Sequence, residues 1–85
     1  MQLILNIPDF TAFALNNDLQ ELQKTIKLNS ALMLFKNGKF SIEQASDFAD
    51  MSLFDFMAEC HKNHISVIGY DDEELSNELE MMKML

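Results

Sequence analysis

The densest chemistry in the chain sits in "CHKNH", Cys60 to His64. His61 and His64 stand three residues apart, so on a helix both would face one side, a spacing that suits zinc. A structural zinc site needs four ligands, and no second ligand pair of matching spacing occurs elsewhere. Cys60 also falls on an apolar stripe, which reads as packing. No histidine has a nucleophile and an orienting acid around it. Gly38 and Gly69 are the only glycines, too few for a phosphate-binding loop. The expectation is a protein that is not an enzyme, with no catalytic residue, no cofactor and no metal.

A second chemistry is contact with nucleic acid. Residues 38–65, "GKFSIEQASDFADMSLFDFMAECHKNHI", read as two short helices joined by a tight turn. In a helix-turn-helix the second helix lies in the major groove and its first residues reach base edges. The candidate DNA-facing residues are then Ser52, Leu53, Phe54, Ala58, His61 and Lys62, with Lys36, Lys39 and Lys62 available for phosphates. Specific readout usually draws on Arg, Lys, Asn or Gln. Here the leading positions are leucine and phenylalanine, and Asp47, Asp50, Asp55 and Glu59 lie close by. All six basic residues of the chain are lysine, against fourteen acids, for a net charge of −8. Few cations are available to release counterions, so DNA binding by the isolated protein is expected to be weak.

The elements that would position these residues follow from spacing. "QLILNI" alternates Leu3, Leu5 and Ile7 with Gln2, Ile4 and Asn6, which predicts a short strand ended by Pro8. "DFTAFAL" reads as a loop or one helical turn with Phe10 and Phe13 tucked inward. A helix is predicted from about Asp18 to Lys36, with Asn17 as N-cap and Gln20 as its capping partner. Leu15, Leu19, Leu22 and Ile26 form one stripe; Leu28, Leu32 and Phe35 form another. Either one long helix packs against two things, or it bends near Asn29. Asn37-Gly38 closes it.

Ser41 and Gln44 make a capping box for the next helix, whose predicted buried face is Ile42, Ala45, Phe48 and Ala49. Asp50 and Met51 make the turn, with Asp50 in the place glycine usually takes; aspartate tolerates the left-handed conformation. Ser52 caps a third helix that faces inward through Leu53, Phe56, Met57 and Cys60 and ends near Asn63-His64. "ISVIGY", 65–70, is a second strand candidate, pairing with Leu3–Ile7 unless that strand pairs with its own copy. Asp71 opens an acidic amphipathic helix, "DDEELSNELEMMKML".

That last helix carries the candidate partner-binding residues Leu75, Leu79, Met82 and Leu85. They would pack on the protein's own core or a dimer mate, or lie in the groove of another protein. Residues 71–85 hold six acids and one lysine, whereas residues 1–70 hold eight acids and five lysines.

At 85 residues the chain is expected to be a single domain, 1–85, mainly α: a small helical domain with a helix-turn-helix and one or two short β-strands. Its parts are an N-terminal strand and loop (1–16), a long helix (17–37), the helix-turn-helix (41–64), a short strand (65–70) and the acidic helix (71–85). A core of this size is small, which makes a homodimer the expected state. No apolar run reaches the ~20 residues of a membrane span, and the first residues lack the features of a signal peptide. One cysteine excludes an intrachain disulfide and fits a reducing, cytoplasmic setting.

One long stretch, "LNSALMLFKNGKFSIEQASDFADMSLFDFMAECHKNHISVIGYDDEEL", resembles uncharacterised protein family 0175, a small prokaryotic family. Its pattern is a helix, "GK-hydrophobe-S", "A-hydrophobe-A-G-hydrophobe-S", an aromatic-rich helix, a "GI-x-V" strand and an acidic "Y-D-E-E-L" helix start. The resemblance covers about residues 15–80. It implies helix-turn-helix proteins that act as antitoxin-like partners of PIN-domain ribonuclease toxins, so a PIN-type toxin is the implied partner. Two positions depart from the pattern: Asp50 replaces the turn glycine, and Leu53 follows the turn serine where a basic residue is common. Both weaken the implied DNA recognition and leave the implied fold untouched.

Overall fold

Helix ends set this architecture, and in a chain with two glycines they are built mostly from other residues. The computed structural model of the chain describes residues 1–67. Four helices follow in order: α1 (Phe10–Ala14), α2 (Leu19–Lys36), α3 (Ile42–Phe48) and α4 (Leu53–Lys62). Half of the predicted 65–70 strand and all of the predicted 71–85 helix lie outside the described residues.

Each helix closes with the same pair of backbone bonds, the Schellman arrangement, which needs one left-handed residue just past the end. For α2 that residue is Gly38, with Lys39 N–H donating to the Leu34 carbonyl and Gly38 N–H to that of Phe35. For α1, α3 and α4 the left-handed residues are Asn16, Asp50 and His64, at φ 53°, 56° and 56°. Met51 N–H donates to the Ser46 carbonyl and Ile65 N–H to that of Cys60, completing the second and third of these. Asp50 therefore takes the conformation its place in the turn predicts.

The N-termini are capped by side chains. Ser41 and Gln44 form the expected reciprocal box: the hydroxyl accepts from Gln44 N–H at 3.1 Å, and the Gln44 side chain accepts from Ser41 N–H at 2.9 Å. Ser52 accepts from Asp55 N–H at 3.1 Å. The cap of α2 departs from expectation by one residue. Asp18, not Asn17, accepts from the backbone of Glu21, because Asn17 is itself left-handed at φ 63°. An N-cap needs a backbone that leads into the helix, and the turn at 16–17 removes Asn17 from that role.

The core lies where α2, α3 and α4 meet. Its fully buried side chains are Ala31, Ala45, Phe56 and Cys60, joined by Leu32, Met57 and Val67. Alanines on α2 and α3 bring the two backbones close, and Phe35 of α2 meets Phe56 of α4 edge-to-face, 5.9 Å between ring centres. The inward stripe of α4 is as predicted, with Leu53 partly buried against the cluster. The second stripe of α2 (Leu28, Leu32, Phe35) supplies its side of the core. α2 runs as one helix through Asn29, but only the second stripe joins the core: no residue of the first belongs to the cluster, and Leu15 and Leu19 stay exposed.

Three expectations fail. Leu3–Ile7 is not a strand; none of residues 1–8 enters a ladder, and a lone strand without hydrogen-bonding partners gains nothing from extending. Phe10 and Phe13 do not tuck inward but are 70% and 88% exposed. Phe48 leaves the buried face of α3 and meets the half-buried Phe40 with the rings tilted, 5.5 Å between centres.

Candidate functional surface

The outer side of α4 is fixed by its inner side. With Leu53, Phe56, Met57 and Cys60 turned to the core, the helical period leaves Phe54, Ala58 and His61 along one outer line, at steps of four and three. Phe54 is exposed, while Ala58 and His61 are half-buried. Asp55 and Lys62 flank this line and are exposed. Leu53, read from the sequence both as inward and as groove-facing, packs partly into the core cluster. Ser52 keeps an exposed position, with its hydroxyl committed to the helix cap.

The cations around this surface are few and partly committed. Lys62 Nζ pairs with Glu59 one turn back at 3.4 Å. Lys36 and Lys39 are exposed at the end of α2 and in the connection after it. Lys27, which the sequence reading passed over, makes an ion pair with Asp50 in the turn between α3 and α4. The two residues lie twenty-three positions apart, so no local pattern announces them. The pair is solvent-exposed on the aspartate side and contributes at most about 1 kcal/mol. Its larger consequence is positional, since it ties α2 to the turn.

That tie forms one wall of a shallow depression of ≈ 560 Å³ between α2 and the turn, with Lys24, Leu28 and Met51 around it. Lys27 already faces a carboxylate there, so the depression has no strong anion-binding character. Among the described residues no group of three His, Cys, Asp or Glu converges as metal ligands would. Of the "CHKNH" residues, Cys60 is enclosed in the core, and His64 is the exposed left-handed residue that ends α4. Burial, reinforced by the neighbouring Glu59 carboxylate, pushes the Cys60 thiol up from 9.0 to about 11. It stays protonated at neutral pH and acts as a small apolar side chain.

A second exposed surface precedes α2. Leu3, Ile4, Leu5, Ile7, Phe10, Phe13, Leu15 and Leu19 are all at least 40% exposed. Apolar side chains exposed in such number along one short segment are candidates for an interaction surface. The alternation in 2–7 was visible in sequence; that nothing among the described residues covers it was not. The partner-binding candidates Leu75, Leu79, Met82 and Leu85 fall outside the described residues. No described helix is long and apolar enough to cross a membrane.

Comparison with known proteins places this chain in a family. Residues 1–84 match the uncharacterised protein family UPF0175. A UPF0175 protein of Aeropyrum pernix is 41% identical over 59 residues, covering 69% of this chain and 75% of the relative. A second from the same organism is 35% identical over 65 residues, covering 76% and 72%. One from Archaeoglobus fulgidus is 29% identical over 63 residues, covering 74% and 71%. No solved structure matches the chain.

Proposed function

We propose, from the premise that this chain belongs to the uncharacterised protein family UPF0175, that it is a non-enzymatic, antitoxin-like protein. It binds a PIN-type toxin and reaches its own promoter only as part of that complex. The DNA-directed element is a helix-turn-helix made of α3 and α4. Two capped helices, a four-residue connection with left-handed Asp50, and a shared core around Ala45 and Phe56 support that shape.

The observation that carries the reading is the outer line of α4. Its solvent-facing leading residue is Phe54, followed by Ala58 and His61, between Asp55 and the paired Glu59 and Lys62. Base-edge recognition requires bidentate or multiple polar donors and acceptors at these places. An apolar, acid-flanked line suits protein contact better than the major groove. The acidic segment 71–85 adds Leu75, Leu79 and Met82 at helical spacing as anchors for the same protein partner.

A promoter titration at two salt concentrations, with and without the co-expressed toxin, tests this. The free protein should show only weak, strongly salt-dependent binding, and the complex should bind specifically. Specific binding by the free protein would make it a free-standing regulator instead. No specific binding by either would leave a dimeric interaction module without DNA contact. A toxin that fails to co-purify with the chain would remove the antitoxin reading.

A further inference from the structure

We propose that residues 1–19 form the contact between two copies of this chain, with Leu3–Ile7 pairing antiparallel to the same segment of the second copy about a two-fold axis at Leu5. The inference is independent of the antitoxin reading, since it needs no toxin and no DNA.

Four observations converge on a second copy. The first is pattern. About a centre at Leu5, Leu3 comes opposite Ile7 and Leu5 opposite itself, so the apolar positions of 3–7 are self-complementary on one face. Directly opposed residues of an antiparallel pair share a face. Residues 1–8 enter no ladder in the structure, so their strand edges are available, and Pro8 bounds the ribbon. An isolated two-stranded ribbon is marginal and needs a layer to pack on. Phe10 and Phe13, on one side of α1 and 70% and 88% exposed, supply that layer from each copy.

The second is area. Leaving out Ile4, which the pairing turns to the other face, the exposed surface of the apolar residues from Leu3 to Leu19 comes to at most roughly 800 Å² per copy, comparable with the roughly 800 Å² per partner of a standard stable interface. The third is charge. Over residues 1–19 the charged side chains are Asp9 and Asp18 alone, while the whole chain carries −8. Two copies repel each other through most of their surfaces and far less through this one. A basic partner would gain by docking on the acidic parts, and gains nothing here. The fourth is placement. No residue of 1–19 belongs to the core cluster or packs against it, and among the described residues that core holds seven buried apolar side chains; small cores of this kind commonly gain stability by association.

Sedimentation of the purified full chain, without any partner, tests the proposal. The wild type should sediment near twice its 9.8 kDa chain mass. Leu5→Asp sets two carboxylates face to face at the axis and should sediment as the monomer. Leu5 is 52% exposed and outside the core cluster, so helical content and the unfolding midpoint of the isolated monomer should hold. A wild type that is monomeric at about 100 μM, or a Leu5→Asp variant that remains dimeric, overturns the proposal. Cysteine cross-linking checks the register without relying on that variant. Cβ atoms at the axis lie about 5 Å apart, so under mild oxidation Leu5→Cys should form disulfide-linked dimer at least about ten-fold faster than Ile4→Cys. Fully buried Cys60 does not compete. Equal rates, or a faster Ile4→Cys, would rule out the axis at Leu5.

Discussion

Two parts of this chain are equally apolar and reach opposite fates. Between Leu28 and Val67, helical spacing directs side chains from three helices into one cluster, and Ala31, Ala45, Phe56 and Cys60 lose all contact with solvent. Between Leu3 and Leu19, leucines, isoleucines and phenylalanines of the same character stay at least 40% exposed. The difference is geometric and not compositional. Hydrophobic burial is proportional to area removed from water, and that removal needs an opposing surface at the right place. α2, α3 and α4 provide one for each other. The left-handed pair Asn16 and Asn17 turns the chain between α1 and α2, and the arm before it meets no such surface among the described residues. Apolar content alone thus separates neither core from interface; only the presence of an opposing surface does.

The contrast can be broken from the core side with the largest effect. Phe56 is fully buried and touches α2 through Phe35, so Phe56→Ala should cost about 3–5 kcal/mol. In a domain of this size that loss is visible as unfolding near physiological temperature, measured by circular dichroism. A loss below about 1 kcal/mol would mean that the cluster is not the stabilising core.

A second test uses the buried thiol. Cys60 titrates at about 11 in the folded chain and at 9.0 where water surrounds it. Between those values the unfolded chain gives up the proton and the folded chain keeps it. Stability from this group is complete below pH 9 and falls as pH rises towards 11, by on the order of 2 kcal/mol. Denaturant unfolding at pH 8 and pH 10.5, for the wild type and for Cys60→Ala, isolates the effect. The steeper loss should be present in the wild type and absent from the variant. Parallel pH profiles would show that the thiol reaches water.

The smallest effect belongs to the arm. In a Leu5→Asp background, which removes self-association, Phe13→Ser should change unfolding free energy by less than about 0.5 kcal/mol. Phe13 is 88% exposed, so it has little native contact to lose. A cost near that of a core phenylalanine would place the arm in the folding core and erase the contrast.

How much of this was legible beforehand depended on the range of each interaction. The capping box at Ser41 and Gln44, the cap at Ser52, the left-handed Asp50 and the inward stripe of α4 are settled within three or four residues, and local pattern reveals them. Lys27 with Asp50, the tilted contact of Phe40 with Phe48 and the exposure of Phe10 and Phe13 depend on where whole elements come to rest. Asn17 failed as a cap for an intermediate reason. Its residue type is favourable, but the left-handed turn that it shares with Asn16 decides its backbone. His64 is the converse, an unremarkable residue by type that takes the left-handed position ending α4. At the candidate surface, the poverty of cations was already plain in the sequence. Leu53 was read from the sequence both as inward and as groove-facing, and the orientation of the helix decided for the core.

By itself, the sequence determined the order of α2, α3 and α4, the caps at Ser41 and Ser52, the close of α2 at Asn37-Gly38 and the acidic, arginine-free character that weighs against DNA readout. These follow from backbone hydrogen bonding and side-chain charge, which act within a turn or need no geometry at all. The tertiary structure alone decided which stripe of α2 is buried, which line of α4 faces out, and that the N-terminal apolar residues meet no opposing surface among those described. Each of these is a contact, or the lack of one, between segments far apart in the chain. Burial belongs to such pairs of surfaces, and no single segment carries the information about its partner.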